Sequence, residues 1–176
     1  MRRGHAIALA GALLLLLVMA MDWYSTATGD EARRIESITD NPSGADAGEI
    51  DRRLNEDARE IAEDEEKNAW QADALIDRII LILMLLAIVF AVLTAITRSA
   101  GAKATKGLGP AGAAAIFAAA AAALVAYRII QEPGLDSATN VKAGAPLALL
   151  GLAMIALGSS SALRADDKET ADAGTD

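Results

Sequence analysis

The sequence predicts an all-α fold, a bundle of four transmembrane helices with a long, partly helical acidic loop on the outer side. Three observations predict it. Hydrophobic residues make up 53% of the chain and charged residues 23%, an average that a single well-mixed globular domain does not readily produce. The two classes are instead segregated, since the runs 6–21, 79–97, 110–127 and 146–163 contain no Asp, Glu, Lys, Arg or His. The basic residues, finally, sit on alternate sides of these runs. Runs of this length reach about 24 to 28 Å as helices, slightly short of the ~30 Å hydrocarbon core and within what flanking residues or local thinning absorb.

Residues 1–5 carry Arg2 and Arg3 and are expected in the cytoplasm. The run 6–21 is the first span. Its rival reading is a secretory signal, because a basic start, an apolar stretch and the small-x-small group Val18-Met19-Ala20 resemble a cleavage site. The length of the apolar stretch favours retention; cleavage would leave three spans with the other orientations unchanged.

The segment 22–78 holds 17 acidic and seven basic residues, a net charge of −10 (7 − 17), and is expected outside. Asn41-Pro42-Ser43-Gly44 reads as a turn. Asp46 followed by Glu49 resembles a capping box, and Ile50, Leu54, Ala58 and Ile61 continue at helical spacing. A helix is therefore expected from about Asp46, with nothing forcing a break before the second span. Glu49 with Arg53, Arg52 with Glu56, Arg59 with Glu63, and Glu63 with Lys67 are i,i+4 pairs that support it weakly. The stretch from Thr26 to Asp40 is too short and polar to assign.

The second span, 79–97, is rich in Leu, Ile and Val. The short loop 98–109 holds Arg98, Lys103 and Lys106 without an acidic residue and belongs to the cytoplasm. The third span, 110–127, is almost wholly alanine and inserts weakly alone. Its small residues Ala114, Ala118, Ala122 and Ala126 recur every fourth position, which suggests close helix contact and a place at the bundle centre. The loop 128–145 is outside. The fourth span, 146–163, has close-contact points at Gly144, Ala148, Gly151, Gly158 and Ala162, and Pro110 and Pro146 stand where a first-turn proline costs no hydrogen bond. The tail 164–176, with Arg164 and Lys168, is expected to be disordered and cytoplasmic. Trp23, Tyr24, Trp70 and Tyr127 all fall near the outer ends of spans, the headgroup level that amphipathic rings prefer.

Catalytic, cofactor-binding and metal-binding residues are each expected to be none. The chain has no cysteine, so disulfides, thiol chemistry and Cys-ligated metal are excluded. Glu60, Glu63, Asp64, Glu65 and Glu66 form an acidic cluster, but it lacks the glycine turn and alternating oxygen ligands of a calcium loop and reads better as a solvated helix face. Asp77 beside Arg78 marks the mouth of the second span, a place for a substrate path but more simply a helix boundary. His5, the sole histidine, has no partner at metal or triad spacing.

Asp22-Trp23-Tyr24-Ser25, Trp70-Gln71-Ala72 with Leu75-Ile76-Asp77, Tyr127-Arg128-Ile129-Ile130 with Pro133-Gly134, and the closing segment Gly144 to Asp167 resemble a family of small four-span membrane proteins common in actinobacteria. The resemblance implies the four-span architecture and no particular chemistry, since that family has no assigned biochemical function. The chain departs from it at Asp22, where the family usually has Pro, and in its longer acidic insertion between Ser25 and Trp70.

These readings lead to a non-enzymatic structural or interaction component of a bacterial plasma membrane. Its partners are the lipid bilayer and a membrane-protein or cell-envelope partner reached through the acidic outer loop. Nucleic acid is not among them, and oligomers are compatible with the small-residue faces. The alternative is a transporter or oligomeric pore component, for which the spans offer only hydroxyls such as Thr94, Ser159, Ser160 and Ser161 near the inner side.

Overall fold

The computed structural model describes residues 3–39, 49–70, 75–100, 109–131 and 139–172. The described elements are α1 (Arg3–Met19), β1 (Asp22–Thr26), α2 (Ala27–Thr39), α3 (Glu49–Glu65), β2 (Glu66–Asn68), α4 (Leu75–Ser99), α5 (Pro110–Ile130), β3 (Thr139–Val141) and α6 (Gly144–Asp172). Three helices are long and apolar enough to cross a membrane, namely Leu75–Ser99, Pro110–Ile130 and the Gly144–Ala165 part of α6. The apolar helix α1 is shorter, at 17 residues.

Helix ends follow local chemistry. Pro110 opens α5 behind an extended Gly109, where its missing N–H is not needed, and Gln131 N–H closes the helix on Tyr127 O at 2.9 Å. The bond from Leu147 N–H to Ala143 O begins α6 and leaves Pro146 in the first turn, again without a lost bond. At the end of α4, Thr94, Thr97 and Ser99 hydroxyls donate to the carbonyls of Phe90, Leu93 and Ala95 at 2.7, 2.9 and 2.8 Å.

The four apolar helices pack as a ring in the order α1, α4, α5, α6, each neighbour antiparallel to the next, around a core that includes Leu15, Met19, Met84, Val125, Leu152 and Ile155. The closest pair is α1 with α6. Gly4 and Gly11 on α1 oppose Gly158 and Gly151 on α6, and a methyl group built on Gly158 would lie 2.6 Å from Ala8 N and 2.7 Å from Gly4 O. Absence of side chains at these crossing points lets the backbones touch and gain dispersion along the seam. Between α4 and α5, Phe90 and Phe117 stack with centroids 5.5 Å apart.

Helix α5 packs against α4 and α6 instead of forming a hub for the bundle. Its buried line is Ala111, Ala114, Ala118, Ala121 and Val125, while Ala122 and Ala126 of the expected row are only half-buried. The reason is geometric: a strict four-residue step advances about 400° and drifts some 40° round the helix each time, whereas alternating steps of three and four stay on one face.

Other expectations change as well. The outer helix ends at Glu65 and gives way to β2, so it does not run into α4. Residues 27–39, left unassigned by the sequence, form α2, and Thr26 Oγ1 caps it by accepting from Gly29 N–H at 3.1 Å. Helix α6 continues to Asp172, where the sequence suggested a disordered tail from residue 164. Three strands that the sequence did not suggest form an antiparallel sheet in the order β2-β1-β3, pairing Ser25 with Glu66 and with Asn140. The expected turn at Asn41 to Gly44, the capping residue Asp46, Lys103, Lys106 and Pro133-Gly134 lie outside the described residues.

Candidate functional site

All polar structure of the sheet gathers at one end of the bundle, here the sheet end, where α1 and α5 finish and α4 and α6 begin. Alternation along β1 turns Trp23 and Ser25 inward. The Trp23 indole N–H donates to Val18 O at 2.9 Å, joining Met21 N–H, which donates to the same carbonyl at 3.0 Å, at the end of α1. Gly144 makes room for it, since a methyl group there would sit 2.6 Å from the Trp23 ring and 2.5 Å from Asp22 O. Trp23 is therefore a buried cap and not the interfacial anchor expected of it. Tyr24, Trp70 and Tyr127 do lie at this end, with Tyr24 half-buried and the other two exposed.

Two charged constellations flank β1. In the first, Asp30 in the opening turn of α2 accepts from the Ser25 hydroxyl at 2.8 Å, from Asn140 Nδ2 at 2.6 Å and from the Lys142 ammonium, and these donors hold its carboxyl below the usual range, the Lys142 bond foremost. Lys142 N–H also donates to Trp23 O at 2.9 Å. The cluster ties α2 to β1 and β3. In the second, Arg128 on α5 grips Asp77 on α4 through two parallel bonds, Nε to Oδ1 at 2.8 Å and Nη2 to Oδ2 at 2.9 Å. Burial pushes the nearby Tyr24 phenol up to about 12, with Arg128 opposing and Asp77 adding to the shift.

Asp77, singled out in the sequence, is thus half of a bidentate bridge between neighbouring helices, and its partner Arg128 gave no sequence signal as such. Arg78 is exposed. His5 is buried in the first turns of α1, at the opposite end of the bundle from the sheet. Within the acidic cluster, Glu63 is engaged by Arg59 at 2.9 Å, and Glu65 and Glu66 have side chains outside the description. Among the described residues no group of three or more His, Cys, Asp or Glu side chains is placed to hold a metal ion. Ser25 does not resemble an activated nucleophile, because its hydroxyl donates to a carboxylate whose depressed pKa makes it a poor base.

The hydroxyls near the other end are mostly absorbed by their own helices, Thr94 by Phe90 O, Ser160 by Ala156 O and Ser161 by Gly158 O. Ser159 differs: its hydroxyl is buried and has no hydrogen-bond partner among the described residues. No protein-family model matches the chain, and no curated protein and no solved structure matches it significantly.

Proposed function

We propose that the chain is a four-span protein of a bacterial plasma membrane, with both termini cytoplasmic, and that it serves as a non-enzymatic structural or interaction component. The observation that carries the reading is the inversion of the apolar helices. Large apolar side chains such as Leu17, Ile82, Val89, Ile96 and Leu157 face outward, while the positions between helices are filled largely by Ala and Gly. Water would penalise that surface heavily, and a hydrocarbon solvent accepts it. Helix α1 serves as the fourth span in this reading because its glycines seat it along α6 and its side chains Leu15, Val18 and Met19 complete the core.

The basic residues near Arg3, Arg98 and Arg164 at one end, and the acidic segment at the other, support placing the sheet end outside. The resemblance to small four-span actinobacterial proteins agrees with this architecture. Both charged constellations at the sheet end join elements to one another, which suits a scaffold that presents the α2–α3 segment. A pore or transporter draws on the buried Ser159 hydroxyl and on His5, buried at the same end, and two groups confined to one end offer no relay across the bundle.

Single cysteines test the orientation in a chain that otherwise has none. Ser43→Cys and Ser137→Cys should react with a membrane-impermeant maleimide in intact cells, and Thr105→Cys only after permeabilisation. The reverse pattern rejects the topology, and recovery of the chain in the soluble fraction rejects the membrane.

A further inference from the structure

Helices α2 and α3 form a hairpin that stands apart from the apolar bundle. The strands β1 and β2 are antiparallel, with Ser25 opposite Glu66, so α2 leaves and α3 returns at the same point and the two packed helices must themselves be antiparallel. Their seam is small: Ala32 on α2 meets the α3 side that carries Ala58 and Ala62, all buried.

At about 100° per residue, each helix continues its apolar stripe on the same angular side of the seam, Ile35 and Ile38 after Ala32, and Leu54 and Ile61 beside Ala58. Antiparallel packing brings equal-handed flanks to one face of the hairpin. That face is open: Ile38 is 65% exposed, Leu54 49% and Ile61 45%. Glu31, Asp57 and Asp64 come next on the same flanks, about 100 to 120° from the seam, with exposed Arg53 beyond them at about 140°, and the three carboxylates make no ion pair among the described residues. The opposite flank is different in kind, because its charges are engaged within each helix, Arg33 with Glu36 at 2.8 Å and Arg59 with Glu63 at 2.9 Å.

We propose that the α2–α3 face carrying Ile38, Leu54 and Ile61 is a docking surface for a basic amphipathic helix of a partner protein. The inference rests on the reading of the chain as an interaction component and names the chemistry of its partner. Charge selects the occupant. An apolar strip whose rim carries three carboxylates against one arginine is complementary to a helix with Leu on one side and Lys or Arg flanking it. A second copy would bring acidic rim against acidic rim, and an anionic lipid surface would repel the same rim.

The test uses the full-length protein in nanodiscs of zwitterionic lipid, with empty discs as the blank. The probe is a synthetic Leu/Lys amphipathic helix of about 18 residues, roughly 27 Å long and so matched to α3, beside a scrambled peptide of the same composition. The amphipathic peptide should bind about tenfold more tightly than the scrambled one, and raising salt from about 0.05 to 0.5 M should weaken it. Ile38→Gln with Ile61→Gln, a pair that helices tolerate, should remove the preference while far-ultraviolet circular dichroism stays unchanged. Arg59→Ala on the opposite flank should keep it.

Equal binding of the scrambled peptide, or unchanged binding by the double variant, overturns the proposal. So does a peptide-free oligomer that the double variant dissolves, which would make the occupant a second copy, or a dye on Ile61→Cys already shielded by lipid before peptide is added. Nanodiscs open both membrane faces, so binding is read whichever way the protein faces in the cell; a wrong topology shows only in the maleimide labelling.

Discussion

Asp30 collects the Ser25 hydroxyl, the Asn140 amide and the Lys142 ammonium on one carboxylate, and taking a proton would remove its charge from the Lys142 pair and weaken the other two bonds. The sign of the pH effect follows from its depressed folded-state value. Against an unfolded value of about 3.9, the stabilisation is fully present above that pH and disappears as pH falls through the lower folded value. Acid should therefore release α2 from β3 in this window. Amide exchange at Asn140 to Lys142, normalised to the unstructured rate at each pH, should lose protection below about pH 4 in the native chain. Asp30→Asn should start with less protection and show no such step; an identical step in both would assign it to other groups. None of this was legible in the sequence, because Asp30 and Lys142 are 112 residues apart and Asp77 and Arg128 are 51 apart. Periodicity registers neighbours on one element, and a single chain offers no spacing rule for pairs that meet only after folding.

The elements themselves were more legible, to the degree that they repeat. Apolar runs of many residues announced α1, α4, α5 and α6, and most ends fall within about a turn of those runs because polar residues such as Asp77 and Arg128 belong to the helices they flank, whereas α6 continues nine residues past Leu163 to Asp172. The strands β2 and β3 have three residues each, too few for alternation to register, although Trp23, Tyr24 and Thr26 in β1 are good strand formers. The glycines of α6 read as close-contact points in the sequence, yet their partner on α1 did not, although Gly4, Ala8 and Ala12 recur every fourth position, because leucines dominate that run. Their role yields a sharp expectation. Gly158→Ala places a methyl group against the α1 backbone, not against a flexible side chain, and should cost on the order of 1 to 3 kcal/mol by overpacking. Ala153→Leu, on the exposed side of the same helix, should leave detergent thermal stability nearly unchanged. If the two variants melt alike, the α1–α6 seam is not the tight contact described.

For the molecule as a whole, the unresolved choice in the sequence was between a cleaved leader and a permanent first helix, and the packing bears on it directly. Leu15, Val18 and Met19 are at most 1% exposed, Trp23 is tethered to Val18 O, and Gly151 and Gly158 are shaped to receive the backbone of α1. A signal sequence is selected to leave, and nothing about leaving requires such a fit. The 176-residue chain, expressed and purified from membranes, should therefore keep its first helix and a mass of 18.2 kDa. A chain engineered to begin at Met21 should insert with three helices but lose the contacts of those three side chains. At the low end of measured losses, ~2 kcal/mol for each large buried group, that removes on the order of 5 kcal/mol and lowers the melting temperature by roughly 10 to 20 °C. A native mass beginning at Met21, or a truncated chain as stable as the whole, would reduce the bundle to α4, α5 and α6 and leave the glycine face of α6 open to lipid or to a second molecule.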